Sequence, residues 1–151
     1  MNKYILFLIV LSSYLFTSCG TVPLTGRKQM LLVSDQQVLT ASLGQYQEYI
    51  KTAPLSSDNV RRNMVVRVGQ RIAAATNAYL KQNGLEAEIK NFQWEFNLVK
   101  DDAVNAFCMP GGKIVVYEGL MKIVASDDEL AVVVGHEVAH AVAKHSNERM
   151  S

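Results

Sequence analysis

Cysteine is scarce in this chain. It has two, Cys19 and Cys108, too far apart in sequence to form a metal-type pair, and no disulfide is expected. A charge excess is missing as well. Fifteen Lys and Arg stand against 14 Asp and Glu, for a net charge of +1, so no basic field favours nucleic acid. A long hydrophobic run is also lacking. The apolar stretch at residues 4–16 falls short of the roughly 20 residues a membrane-spanning helix needs. There is no internal repeat and no low-complexity tract. What is present is a chain of 151 residues, 49% of them hydrophobic, which suits one domain with a real core.

The N-terminus reads as a targeting segment. Lys3 supplies a short positive region, and residues 4–16 have the length of a signal-peptide core. Phe16-Thr17-Ser18-Cys19 follows. Small residues directly before a cysteine resemble the bacterial lipobox, where the signal is cut before the cysteine and lipid is attached to it. Phe16 stands where leucine is usual. The expectation is a signal peptide over residues 1–18, lipidation at Cys19, and a tether over residues 19–33 containing Pro23 and Gly26. The protein is then exported and held to a membrane of the bacterial cell envelope by its lipid. Gly20, in place of an aspartate, points to the outer membrane, facing the periplasm.

Residues 34–151 read as an α+β domain. Ser34 and Gln37 form a capping box, and a helix should run to about Thr52, before Pro54. Its apolar stripe is Val38, Leu39, Leu43, Tyr46 and Ile50. Ser57 or Asp58 caps a longer helix with Val60, Met64, Val68, Ile72, Ala75 and Tyr79 at helical spacing. Arg61, Arg62, Arg67 and Arg71 are its solvated face, and Asn83-Gly84 is its stop. Residues 92–99 then alternate apolar and polar, as a half-buried strand does. Asp101-Asp102 is a turn. Pro110-Gly111-Gly112 joins two strands into a hairpin, giving a small antiparallel sheet. A short helical piece follows from Gly119 to Val124. Ser126 and Glu129 form a second capping box, opening a helix expected to reach about Asn147.

That last helix carries the chemistry. Residues 132–144 read V-V-V-G-H-E-V-A-H-A-V-A-K, placing His136, Glu137 and His140 in the order H-E-x-x-H. A helix advances about 100° per residue, so positions i and i+4 lie about 40° apart on one face. Both imidazoles can meet one Zn2+, and Glu137 can reach a metal-held water as general base. The flanking residues are almost all Val, Ala or Gly, the mark of a buried helix. Three polar groups buried there without partners would cost several kcal/mol, and a metal supplies the partner. The plainer alternative is a buried helix whose histidines bond to backbone and whose glutamate pairs with a lysine.

The chain from Cys19 onward resembles bacterial lipoprotein peptidases of the HtpX and CaaX-prenyl-protease family. The matching segments are Thr21-Val22-Pro23-Leu24-Thr25-Gly26-Arg27, Asn105-Ala106-Phe107-Cys108-Met109-Pro110-Gly111-Gly112, Tyr117-Glu118-Gly119-Leu120, and Asp128-Glu129-Leu130-Ala131 leading into the H-E-x-x-H helix. The resemblance implies a zincin-like fold of the gluzincin type and a metalloendopeptidase that binds one zinc per subunit. It implies His136 and His140 as ligands, Glu137 as the catalytic residue, and Asn105 and Ala106 on an edge strand that holds polypeptide substrates. Phe107 is expected to be core. Glu118 stands where the family more often has a small hydroxyl residue. The family's third ligand is a glutamate on a later helix, which would lie beyond Ser151, so the C-terminal part of the domain is expected to be missing and the 151 residues alone to bind zinc poorly. His145, nine positions after His136, is about 180° round a straight helix and faces away. Ala143 and Ser146 occupy the places where adamalysin-like enzymes have their turning glycine and third histidine. Glu118 is a remaining local candidate. The expected substrates are misfolded cell-envelope polypeptides. The alternative is a non-catalytic envelope chaperone or adaptor holding clients on the same edge strand.

Overall fold

The computed structural model describes residues 19–21, 26, 28–30 and 33–150. The expected signal peptide over residues 1–18 lies outside them, as does the side chain of Cys19. Two short strands, β1 (Cys19–Thr21) and β2 (Lys28–Met30), pair antiparallel with Cys19 opposite Met30. The segment expected as a plain tether therefore contains a strand pair.

Helix α1 (Asp35–Thr52) starts at its capping box. Ser34 Oγ accepts from the Gln37 backbone N–H at 3.3 Å, and Gln37 Oε1 accepts from the Ser34 N–H at 3.0 Å. Helix α2 (Asn59–Gln82) is capped by Asp58, whose carboxylate accepts from the Arg61 N–H at 3.0 Å. Its buried face follows the expected stripe only at the centre, where Val68 is buried and Met64 and Ile72 pack against the core. Val65, Val68, Gly69, Ala73 and Leu80 are buried, whereas Val60 is 81% exposed and Tyr79 47%. At Gly69 a Cβ would stand 2.2 Å from the Phe96 ring. The missing side chain makes room for the Phe96 ring, so steric fit shapes this face along with the apolar row. A single-turn helix, α3 (Glu86–Ile89), follows. It is too short to show a period in the sequence.

Three strands, β3 (Glu95–Val99), β4 (Ala106–Met109) and β5 (Lys113–Tyr117), form a sheet in the order β3-β5-β4. The β4–β5 hairpin is antiparallel, and its turn places Gly111 and Gly112 at φ of 91° and 80°. β3 runs parallel to β5, so the sheet is mixed and not purely antiparallel. β5 takes the centre because Ile114, Val115 and Val116 form a continuous apolar run, each no more than 1% exposed. Such a strand needs cover on both faces and partners on both edges. β3 begins at Glu95, after Phe92 and Trp94 have stacked on each other at 4.8 Å. β4 is left as an edge.

A turn of 3-10 helix at Leu120–Lys122 leads to helix α4 (Asp127–Val142). Ser126 Oγ accepts from the Glu129 N–H at 3.2 Å, and Glu129 Oε2 accepts from the Ala125 N–H at 2.7 Å. Arg67 of α2 grips Asp127 through two bonds of 2.7 Å. α4 packs on α2 and β4. Its buried stripe, Leu130, Val134, Val138 and Val142, joins Val65, Val68, Leu98, Ile114 and Val116 in the main core. Each fully buried aliphatic side chain contributes on the order of 1.5–3 kcal/mol. Four on one stripe fix the rotation of α4 about its own axis.

The helix ends at Val142, short of the expected Asn147. Lys144 adopts a left-handed backbone with φ 55°, and helix α5 (His145–Met150) begins directly after it. A non-glycine residue there costs roughly 1–2 kcal/mol, and the surrounding charges offset it. Lys144 Nζ donates to Asp35 Oδ2 at 2.5 Å and to Glu88 Oε1 at 3.2 Å, while Asn147 Nδ2 donates to Asp35 Oδ1 at 2.7 Å. The corner is thus tied to both α1 and α3. Among the described residues, no helix is long and apolar enough to cross a membrane.

Candidate metal centre

The core stripe of α4 turns His136 and His140 to the opposite side of the helix, where both are exposed. The expectation of a buried helix therefore holds for one face only, and the imidazoles occupy the open one. His136 Nε2 lies 3.0 Å from His140 Nε2, with the rings nearly perpendicular and their centroids 4.5 Å apart. Two nitrogens, each about 2.0–2.1 Å from a tetrahedral zinc, stand roughly 3.3 Å apart. The observed separation is close to that value, so the two donor atoms fit a single zinc ion.

Glu137 is half-buried and, with His140, lines a groove of about 640 Å³ whose far wall includes Phe107 and Cys108 of β4. A second groove of about 430 Å³ shares Phe107, Cys108, Ser146 and Arg149 with the first. The two hollows together run along β4 from Phe107 to Met109. Burial, and then the charge of Glu137, push the Cys108 thiol up to about 12. It is in no disulfide.

The other candidate residues fall in three places. Ala106 opens edge strand β4, and the Asn105 carbonyl accepts from the Tyr117 N–H at 3.1 Å, which extends the hairpin pairing by one residue. Phe107 packs edge-to-face on Tyr49 at 5.8 Å and Tyr117 at 6.2 Å, a packing role, while also bordering the groove. Glu118 joins no metal-holding group among the described residues; its carboxylate accepts from Ser56 Oγ at 2.5 Å.

His145 departs from expectation. It does not face away, because the chain does not continue as a straight helix. The Lys144 corner returns it to His140, and the Nδ1 atoms of the two rings lie 2.6 Å apart. This contact uses the His140 nitrogen turned away from His136. His145 therefore does not join the Nε2 pair. Among the described residues, no group of three His, Cys, Asp or Glu side chains is placed to hold a metal. The signal for the corner was Lys144-His145 straight after the last apolar positions, since basic residues collect where helices end.

Peptidase family M48 matches residues 59–151 of this chain. The chain belongs to that family. A mitochondrial metalloendopeptidase OMA1 from Schizosaccharomyces pombe is 31% identical over 141 residues, 91% of this chain and 39% of that protein. The OMA1 of Arabidopsis thaliana is 47% identical over 68 residues, 45% of this chain and 14% of that protein. A beta-barrel assembly-enhancing protease from Yersinia pestis is 29% identical over 94 residues, 62% of this chain and 17% of that protein. These relatives bear OMA1 and beta-barrel assembly-enhancing names rather than HtpX or CaaX-protease ones, so the M48 assignment is broader than the expected branch. The chain spans less than half the length of each. Its α+β arrangement agrees with an M48 peptidase domain.

Proposed function

We propose that this M48 chain carries the zinc-binding helix of a metalloendopeptidase that cleaves extended, misfolded polypeptides of the bacterial cell envelope. The observation that supports this most is the convergence of His136 and His140 Nε2 at 3.0 Å, with Glu137 beside them in a groove walled by edge strand β4. Zinc, when bound, supplies the Lewis acidity that acidifies a water and polarises a carbonyl. Glu137 acts as general base and then acid. Its carboxylate takes the proton of the attacking water and returns it to the leaving amine. Two imidazoles alone make a weak zinc site, which a third protein ligand would complete.

β4 supplies the substrate platform. An extended peptide adds to its open edge through main-chain hydrogen bonds, which take little notice of sequence. Asn105 and Ala106 stand at one end of that edge. Indifference to sequence suits a protease of misfolded chains. Signal cleavage before Cys19 and lipid attachment at that residue hold the protein at the outer membrane, facing the periplasm. Similarity to proteins named beta-barrel assembly-enhancing protease supports a cell-envelope role.

Glu137→Gln in the full-length protein tests the enzyme assignment. Turnover of an unfolded polypeptide should fall about 10²–10⁴-fold, with zinc content and client binding retained. Unchanged turnover would contradict it and favour a non-catalytic adaptor.

A further inference from the structure

We propose that His145 is a positioning residue that acts through His140. It accepts a hydrogen bond from His140 Nδ1–H and so keeps His140 Nε2 unprotonated and aimed at the metal. The inference rests on the zinc reading above.

The chain contains three histidines, and the structure sets all of them in one row. His136 Nε2 meets His140 Nε2 at 3.0 Å, and His140 Nδ1 meets His145 Nδ1 at 2.6 Å. With a metal on both Nε2 atoms, proton bookkeeping leaves one consistent assignment. If both Nε2 atoms of His136 and His140 give their lone pairs to a cation, neither carries a proton. Neutral His140 then holds its proton on Nδ1 and can only donate there. His145 Nδ1 must accept, so the proton of His145 sits on its own Nε2.

A metal-ligating histidine almost always donates its second N–H to a carboxylate, a backbone carbonyl or water, which fixes tautomer and ring angle. Here an imidazole occupies that place. It orients the ligand without adding negative charge beside the metal.

The contact depends on the backbone. In a straight helix, a residue five positions after His140 is rotated by about 140° and could not meet it. The left-handed Lys144, held by Asp35 and Glu88, breaks the helix and brings His145 back. His145 is half-buried and borders the same groove as Glu137 and His140.

The test uses the full-length protein and two readouts, zinc affinity by chelator competition and imidazole ¹⁵N shifts of the zinc-free form. Wild type should bind zinc through His136 and His140, and its zinc-free His140 should carry the proton on Nδ1. His145→Ala should weaken zinc binding about 10–100-fold and return His140 to the Nε2–H form. His145→Asn, whose carbonyl can accept the same bond, should restore most of the affinity. Lys144→Val, which resists positive φ, should reproduce the loss with the imidazole intact, thermal melts confirming that each variant is folded. A wild type that binds no zinc through these histidines would overturn the metallopeptidase proposal itself. A wild type that binds zinc, with His145→Ala unchanged in both affinity and tautomer, would overturn this inference alone.

Discussion

Two polar clusters meet at the corner between α4 and α5, and they are built to opposite rules. On one side, Lys144 faces the carboxylates of Asp35 and Glu88, and Asn147 completes the Asp35 contacts. Cation and anions are balanced inside the protein. On the other side stand three imidazoles whose polar contacts, among the described residues, are with one another. That row brings together nitrogen lone pairs that a cation could take. A balanced cluster holds a shape. An unbalanced one of converging donors is a site for a guest, and the first keeps the second in place.

Changes to the imidazole row should have the largest effects. His136→Ala or His140→Ala should remove stoichiometric zinc and reduce turnover to background, as metal analysis of the purified protein would show. Both side chains are exposed, so the melting temperature of the zinc-free protein should barely move. Glu137→Gln comes next, separating turnover from metal content as described above.

Breaking the balanced cluster should act on stability first. Lys144→Ala leaves two carboxylates without their cation. With the partial exposure of Asp35 discounted, the expected cost is about 1–3 kcal/mol by denaturant unfolding. Burial alone would lower the Lys144 pKa, but the bonds to Asp35 and Glu88 outweigh it and raise the value. A group raised in the folded state stabilises fully below its unfolded pKa of about 10.4. The gap between wild type and Lys144→Ala should therefore be constant near neutrality and close only as pH climbs past that point.

The smallest effect is expected at a second balanced cluster, remote in sequence from the histidines. Burial pushes the Glu95 carboxyl up, but hydrogen bonds from Tyr46, Asn97 and Lys113 win and hold it below the ordinary range. Its contribution is present above an unfolded pKa of about 4.3 and is lost as pH falls through the lower folded value. Glu95→Gln should cost about 1 kcal/mol or less at pH 7, converge with wild type in acid, and leave zinc affinity alone. A change in zinc affinity here would blur the contrast between the two kinds of cluster.

Features written in a few neighbouring residues were legible in the sequence. The Ser34 and Ser126 caps, the Pro110-Gly111-Gly112 hairpin and the facing pair His136 and His140 all depend on local spacing. Features set across the fold were not. The buried face of α2 keeps Val68 from the expected stripe but is also shaped by Gly69 making room for Phe96, which no helical period encodes. β3 joins β5 in parallel because the apolar run of β5 needs a second neighbour, and partner choice between strands is non-local. The return of His145 is the clearest case. It depends on Lys144 meeting Asp35, 109 positions away, and periodicity within one helix can only place His145 on the far side.

Zinc K-edge X-ray absorption of the full-length protein, purified without chelator, tests the central claim most directly. The account predicts zinc with imidazole nitrogens at about 2.0–2.1 Å, and loss of that signal in His136→Ala. A protein that carries no zinc, or zinc whose spectrum is the same in His136→Ala, would contradict it.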